Sequence, residues 1–381
     1  MKIHVFHAAL LAIGICATNI GHAQASGQII FLGQGTAAGI NDSGLVVGTS
    51  SQGATIWNGS STVVISNSLG ASGVNNAGQI VGQILGSSQR GQAALWSGPA
   101  LTLTSLNTPY TYATAINAAG QIVGNGENTA FLWNGSSATN LAVVNNGWST
   151  ASAINNAGEA VGNVNYAGDV YTQLNGFTTS VAAAWKGTNL TLLNSLGGNY
   201  SDAYAINNAG VIVGVSTPAS NVGEIATEWN GTTATALGSL GGNQSYAYAI
   251  NNAGVVVGAS TNAADVTLAT LWKGTTAINL NTLLNPALAQ AGWVLQSARG
   301  INNEGWIVGD AYNHLTGRED AFELQIMSPV PEPDSWLMLL TGLGLIGALR
   351  YFKSTLFRGR VTQRVLSALA RFLALAPARP I

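Results

Sequence analysis

Residues 204–214 read YAINNAGVIVG and residues 248–258 read YAINNAGVVVG, and five further copies of the same phrase are spread between Ala38 and Gly309. They are AGINDSGLVVG from Ala38, SGVNNAGQIVG from Ser72, TAINAAGQIVG from Thr114, SAINNAGEAVG from Ser152 and RGINNEGWIVG from Arg299. The anchoring asparagines are Asn41, Asn75, Asn117, Asn155, Asn207, Asn251 and Asn302, at spacings of 34, 42, 38, 52, 44 and 51 residues. Three residues on, every copy has a glycine: Gly44, Gly78, Gly120, Gly158, Gly210, Gly254 and Gly305. A phrase recurring at such intervals marks a repeat architecture. Asparagine opens a type I turn because its side chain accepts from the backbone two residues on. The glycine supplies positive φ for a tight hairpin with a bulge. Each copy therefore predicts a strand, a four-residue turn and a second strand.

A third segment follows each hairpin: ATIW (54–57), AALW (93–96), AFLW (130–133), AAAW (182–185), ATEW (226–229), ATLW (269–272) and, in the seventh copy, AFEL (321–324). A fourth run alternates apolar residues with Thr or Ser, as in TVVI (62–65), LTLTSL (101–106), NLTLLNSL (189–196) and TALGSL (235–240). Alternation of this kind is that of half-buried strands. Four strands per unit of roughly 40 residues is blade-like. Helical periodicity of 3.6 residues is not evident. The seventh copy lacks a fourth strand, while IIFLG (29–33) precedes the first copy as a strand without a blade. Joined, they predict an all-β, seven-bladed β-propeller closed by the N-terminal strand, which removes open sheet edges. An open array with capping repeats is the rival architecture.

Residues 26–328 hold all of the chain's 15 acidic residues except Glu332 and Asp334, against five basic ones (Arg90, Lys186, Lys273, Arg299, Arg318). The whole chain has a formal charge of −2 because Lys2 and the basic residues from position 350 onward offset this body. A weakly acidic body without a basic stripe argues against nucleic acid as a partner. The single cysteine, Cys16, lies in the N-terminal apolar stretch. Lys2, the run from Ala8 to Ile20 and Ala23-Gln24-Ala25 read as a secretory signal peptide (1–25), with cleavage after Ala25 and a mature start at Ser26.

At the other end a Pro-rich linker (329–334) leads into the apolar run Trp336–Leu349, then Arg350, Lys353, Arg358 and Arg360. Residues 335–349 as a helix would rise about 22 Å, slightly short of a bilayer core. The basic cluster places the C-terminal side in the cytoplasm and the body outside it. In the remainder (354–381), Val361, Val365, Leu369 and Phe372 fall on one helical face and Arg360, Arg364 and Arg371 on another, suiting an interfacial helix.

The segment 330–353 resembles the PEP-CTERM sorting signal of Gram-negative bacteria, with Pro331, Glu332 and Pro333 in the motif positions and, over 335–353, a transmembrane helix followed by a basic cluster that includes Arg350 and Lys353. That resemblance implies an exosortase-type membrane processing enzyme as partner, export through the inner membrane, and a cell-envelope or extracellular-matrix location beside exopolysaccharide. The chain departs from the family by continuing to Ile381. The body is similar to the HAF-type extracellular repeat, although the histidine of that repeat is absent from every copy and nothing that depends on it carries over.

Catalytic groups are scarce. His314 is the one histidine beyond the signal segment, so neither a zinc site nor a Ser/His/Asp triad can be assembled, and no cofactor is expected. Gly342, Gly344 and Gly347 match a phosphate-loop spacing but sit inside the predicted membrane helix, where they suit helix packing. Paired carboxylates are the one enzymatic option: Glu228, which replaces an apolar residue before the recurring Trp, and Asp169, Asp202, Asp265 and Asp310, all in predicted loops. The recurring Trp at 57, 96, 133, 185, 229 and 272 reads as blade core, and Trp148 and Trp293 as the aromatics free to face sugars. The expected protein is exported and non-catalytic, at the surface or in the matrix, associating with exopolysaccharide. A secreted glycan-acting propeller enzyme is the alternative.

Overall fold

The computed structural model describes residues 26–86, 91–144, 147–165 and 180–327, all within the compact unit Ala25–Met327. It is all-β. The first sheet joins β2 (Thr36–Ile40), β3 (Val46–Ser50), β4 (Gly53–Asn58) and β5 (Ser61–Val64), and β1 (Ser26–Gln34) precedes it in the chain. The second and third are β6 (Ser68–Val74), β7 (Ile80–Leu85), β8 (Gly91–Ser97), β9 (Thr102–Pro109), and β10 (Tyr112–Ile116), β11 (Gln121–Asn125), β12 (Ala130–Asn134), β13 (Ser137–Asn140). The fourth and fifth are β14 (Trp148–Ile154), β15 (Glu159–Asn165), β16 (Ser180–Lys186), β17 (Asn189–Leu192), and β18 (Gly197–Ile206), β19 (Val211–Pro218), β20 (Ile225–Asn230), β21 (Thr233–Ala236). One parallel pair, Ser180 with Tyr200, links those two sheets. The sixth is β22 (Gly241–Ile250), β23 (Val256–Asn262), β24 (Thr267–Lys273), β25 (Thr276–Asn279). The last has the order β1-β28-β27-β26, with β26 Trp293–Ile301, β27 Trp306–Asn313 and β28 Arg318–Met327.

The repeated phrase is the hairpin between the first two strands of each sheet. Asn41 N–H donates to Leu45 O at 3.1 Å and Gly44 N–H to Asn41 O at 3.0 Å, the pattern of a type I turn with a glycine bulge, and Gly44 has φ +81°. The Asn41 Oδ1 accepts from the Ser43 and Leu45 amides. A second irregularity, absent from the sequence reading, sits in the middle of each first strand. The register shifts between Ala37 and Gly39, Ala71 and Gly73, Ala113 and Ala115, and at the matching place in the other four sheets. That bulge explains the glycine closing the phrase. A Cβ on Gly214 would lie 2.0 Å from Asp202 O, so only glycine lets the second strand pass the bulged one.

The first strands adjoin one another in sequence, and β26 adjoins β2. Their facing residues are small (Gly39, Gly73, Ala115, Ala153, Ala205, Ala249, Gly300), and a Cβ on Gly300 would stand 3.5 Å from Gly39 Cα. Seven apolar clusters fill the seven junctions, including the one between the last sheet and the first, which holds Ala321, Val308, Ala37, Val46 and Trp57. The recurring Trp is buried in all six copies, as is Leu324 in the seventh. Four of these indoles reach back to the preceding sheet: Trp133 Nε1 donates to Thr108 Oγ1, Trp185 to Ala142 O, Trp229 to Asn194 O and Trp272 to Gly238 O.

Three sequence expectations change. The fourth strands at 189–196 and 235–240 stop early, at Leu192 and Ala236, because Leu193 and Leu237 turn inward, are buried, and return their amides to Ala182 O and Ala226 O. The run at 101–106 instead extends to Pro109. Between β25 and β26 the chain also makes a 3₁₀ turn (Leu280–Leu283) and a short helix α1 (Pro286–Gln290), capped by the Asn285 side chain with Pro286 in the first turn. Among the described residues no helix is long and apolar enough to cross a membrane. The predicted signal peptide, with Ala23 and Ala25, the predicted helix with its basic cluster over 335–353 and the tail over 354–381 lie outside the described residues.

Asn251 ties two amides of its own turn and, through Nδ2, Asn302 O at 3.0 Å. Removing a buried group with three partners costs about 2–4 kcal/mol. Asn251→Ala should lower the thermal midpoint by several degrees, whereas Asn252→Ala, at the exposed next position where the third copy already has Ala118, should shift it by a degree or two at most; equal effects would contradict the assignment.

Candidate functional site

The turn asparagines converge at one end of the body. Each Nδ2 donates to the backbone oxygen of the next sheet's asparagine: 41 to 75, 75 to 117, 117 to 155, 155 to 207, 207 to 251, 251 to 302, and 302 back to 41, at 3.0 to 3.3 Å. One residue on, a second set of bonds runs in the same direction with the roles exchanged, the backbone donating and the side chain accepting. The amide of each residue meets the side-chain oxygen of its neighbour, as from Asn208 to Asn252 at 3.0 Å and from Asn303 to Asp42 at 2.9 Å. Six of seven such links form, and the gap falls where Ala118 has no side chain to offer. These two rings and a floor of Ile or Val side chains line an open depression of about 190 Å³. Asp42 is its one acid. Burial pulls its pKa upward, but hydrogen bonds from Asn303 and Asn76 outweigh that and hold the carboxyl below its usual value. The amides of the inner ring are spent on holding sheets together, so its chemistry is structural.

A different set of side chains breaks the sevenfold pattern. At the bulged position the first four sheets carry Ala38, Ser72, Thr114 and Ser152, and the last three carry Tyr204, Tyr248 and Arg299. The Tyr204 and Tyr248 rings lie 5.8 Å apart, Tyr246 stacks on Tyr248 at 5.9 Å, and the Arg299 guanidinium sits 5.6 Å over the Tyr248 ring. Tyr246 donates to Glu224 at 2.5 Å. Asp310 accepts from Ser297 Oγ at 2.8 Å and pairs with Arg299 Nε. Burial raises all four tyrosine pKa values here (Tyr200, Tyr204, Tyr246, Tyr248), and neighbouring Asp202, Glu224 or Asp310 adds to the rise. Asp202 is pushed up to about 7 by burial, against hydrogen bonds from Asn163 and the Ala203 amide.

The carboxylates expected in loops are placed otherwise. Asp202 lies on β18 and Asp310 on β27, because the first strand of the fifth sheet begins early, at Gly197, and the second strand of the last sheet runs on to Asn313. Glu228 is half-buried on β20 opposite Val213 and Thr235. Asp265 is exposed in a turn, and Asp169 lies outside the described residues. Trp148 is 46% exposed, while Trp293 is half-buried against Phe31 at 4.2 Å between ring centres. Sequence reasoning missed the tyrosine and arginine cluster, although the signal was present: the first residue of the phrase is small in four copies and bulky in three.

The sorting residues Pro331, Glu332, Pro333, Arg350 and Lys353 lie outside the described residues, but residues 329–353 match the PEP-CTERM protein-sorting motif. That motif is carried by exported cell-surface proteins and implies exosortase processing. A search of the curated proteins finds no match. Among solved structures, the body is similar to the extracellular domain of the one-component system BT4673 from B. thetaiotaomicron, at 9% identity over 79% of this chain and 40% of that one, with a TM-score of 0.46. TolB from Acinetobacter baumannii is similar at 11% identity over 76% of this chain and 63% of that one, with a TM-score of 0.38. The six-bladed β-propeller lectin of Aleuria aurantia is similar at 10% identity over 66% and 89%, with a TM-score of 0.35. The chain spans 40% of the length of the first of these.

Because the folded Asp202 binds its proton more tightly than the unfolded carboxyl, the native state holds the extra proton between about pH 4 and pH 7. Stability therefore falls as pH rises through that window. Asp202→Asn should flatten the decline and raise the thermal midpoint at pH 8 relative to the unsubstituted protein; an unchanged pH profile would contradict the burial of this carboxyl.

Proposed function

We propose that the protein is an exported, non-catalytic surface or matrix protein whose closed seven-bladed propeller (26–328) associates with exopolysaccharide. The organisation that goes with this reading is a signal peptide (1–25), the propeller, a linker with the Pro-Glu-Pro motif (329–334), a transmembrane sorting helix with its basic cluster (335–353) and an amphipathic tail (354–381). The observation that carries it is the sorting motif at 329–353. Support for the closed ring comes from β1, paired with β28 from Ser26 opposite Met327 to Gln34 opposite Asp320, and from the Asn302-to-Asn41 bond. The similarity of the repeats to the HAF-type extracellular unit agrees with the same address.

A membrane-inserted tail would serve as a temporary anchor until an exosortase-type enzyme removes it. Polar rather than charged surfaces, rich in Asn, Ser and Thr, suit a protein that works among sugar hydroxyls. A glycan-acting enzyme is the second reading. It is favoured by Asp202, whose carboxyl keeps a proton near neutral pH as a general acid must. Turnover of a polysaccharide that disappears in Asp202→Asn would establish it.

Truncation before Pro331 should move the protein from the envelope to the culture fluid, and intact mass of the native protein should show a C-terminus near the Pro-Glu-Pro motif. An unchanged location on truncation, or a mature mass that includes residues 336–349 in every fraction, would overturn the sorting and processing claim.

A further inference from the structure

We infer that the wall formed by Tyr204, Tyr248 and Arg299 is a saccharide subsite that takes a neutral, hydroxyl-rich sugar unit of a polysaccharide chain. This rests on the proposed association with exopolysaccharide and places it at named residues.

The sevenfold symmetry breaks at one position. Every position that the ring geometry demands is uniform around it: the asparagine, the two glycines and the small residue facing the next first strand. The bulged position is not uniform. Ala38, Ser72, Thr114 and Ser152 satisfy the same bulge with small side chains, so the fold does not require two tyrosines and an arginine there. Their placement on three consecutive innermost strands gathers aromatic faces on one side of the axis and leaves small residues on the other.

Among the described residues, Asp202 Oδ1, Asp310 Oδ1, Asn163 Oδ1 and Asn165 Oδ1 are buried without a hydrogen-bond partner, and Asp310 and Asn163 are each only 9% exposed. Buried polar atoms ordinarily find partners, and those left over point to a missing one. The Asp310 and asparagine oxygens accept only, so the group missing beside them is a donor, while Asp202 can itself donate below about pH 7. Two of them border the tyrosines directly: Asp202 acts on Tyr200 and Tyr204, and Asp310 pairs with the arginine that lies over Tyr248.

The donor class follows from charge. Asp310 is already neutralised by Arg299, and Asp202 shares its time between charged and neutral forms at pH 7. The cation position over Tyr248 is taken by Arg299, which leaves little attraction for an amine ligand. An acidic sugar would meet Asp202, Glu224 and Asp310 with only one cation to offset them. A neutral pyranose offers what remains: C–H groups for a tyrosine face and hydroxyl donors for the unpaired oxygens.

The test uses the full protein as recovered from the envelope or culture fluid, titrated calorimetrically with neutral oligosaccharides of glucose, galactose and mannose, an oligogalacturonate and a chitosan oligomer. The expected result is binding of at least one neutral chain, weakened tenfold or more by Tyr248→Ala, largely kept by Tyr248→Phe, and unchanged by Trp148→Ala. Circular dichroism melts of each variant separate lost binding from lost fold. Neutral-chain binding that survives Tyr248→Ala in a folded variant would overturn the site while leaving polysaccharide association intact. No binding of any saccharide by the folded protein would overturn both, and preference for the acidic or the amine oligomer would overturn the neutral class.

Discussion

A carboxamide can accept and donate at once, and this body is organised around that property. The oxygen of each turn asparagine closes its own hairpin, and the nitrogen reaches the next hairpin's backbone. Aspartate would lack the donor and concentrate negative charge in a ring. Glutamine would carry the amide past the turn it must close. Each bond contributes only about 1 kcal/mol, but the seven are linked head to tail, so no sheet is held without its neighbours. The small residues beneath the ring follow from the same constraint, since the asparagines meet only if the first strands approach backbone to backbone.

How legible this was in the sequence depends on how local the cause is. The hairpins could be read because Asn and Gly act within four residues. The buried Trp and the final sheet completed by residues 29–33 followed from counting strands. The bulge in each first strand was not legible, because it arises from packing between the first two strands, and its trace, the glycine at 48, 82, 124, 162, 214, 258 and 309, read only as the close of the second apolar run. The early ends of the strands at Leu192 and Ala236 were hidden for the same reason. There an apolar residue continues the alternation on paper but turns into the gap between sheets.

The candidate site was less legible than the fold. Asp202 and Asp310 read as loop acids because nothing in their near neighbourhood shows that the fifth sheet's first strand begins at Gly197, or that the last sheet's second strand continues past Gly309. The Tyr204, Tyr248 and Arg299 cluster spans residues nearly a hundred positions apart in sequence and exists only once the ring brings the fifth, sixth and seventh sheets side by side. Repetition makes a stable frame, and Tyr204, Tyr248 and Arg299 depart from it at a position that four other sheets fill with small residues. The PEP-CTERM tail is the other departure, and it gives the frame its address.

Ring closure is the claim on which the account stands, and backbone hydrogen exchange across β1 tests it most directly. If residues 27–33 form the outer strand of the last sheet, their amides that bond to β28 should exchange far more slowly than those of an unfolded chain, and should open together with β28. Exchange of this segment at the unfolded rate, with β28 still protected, would mean that the N-terminal strand does not close the ring.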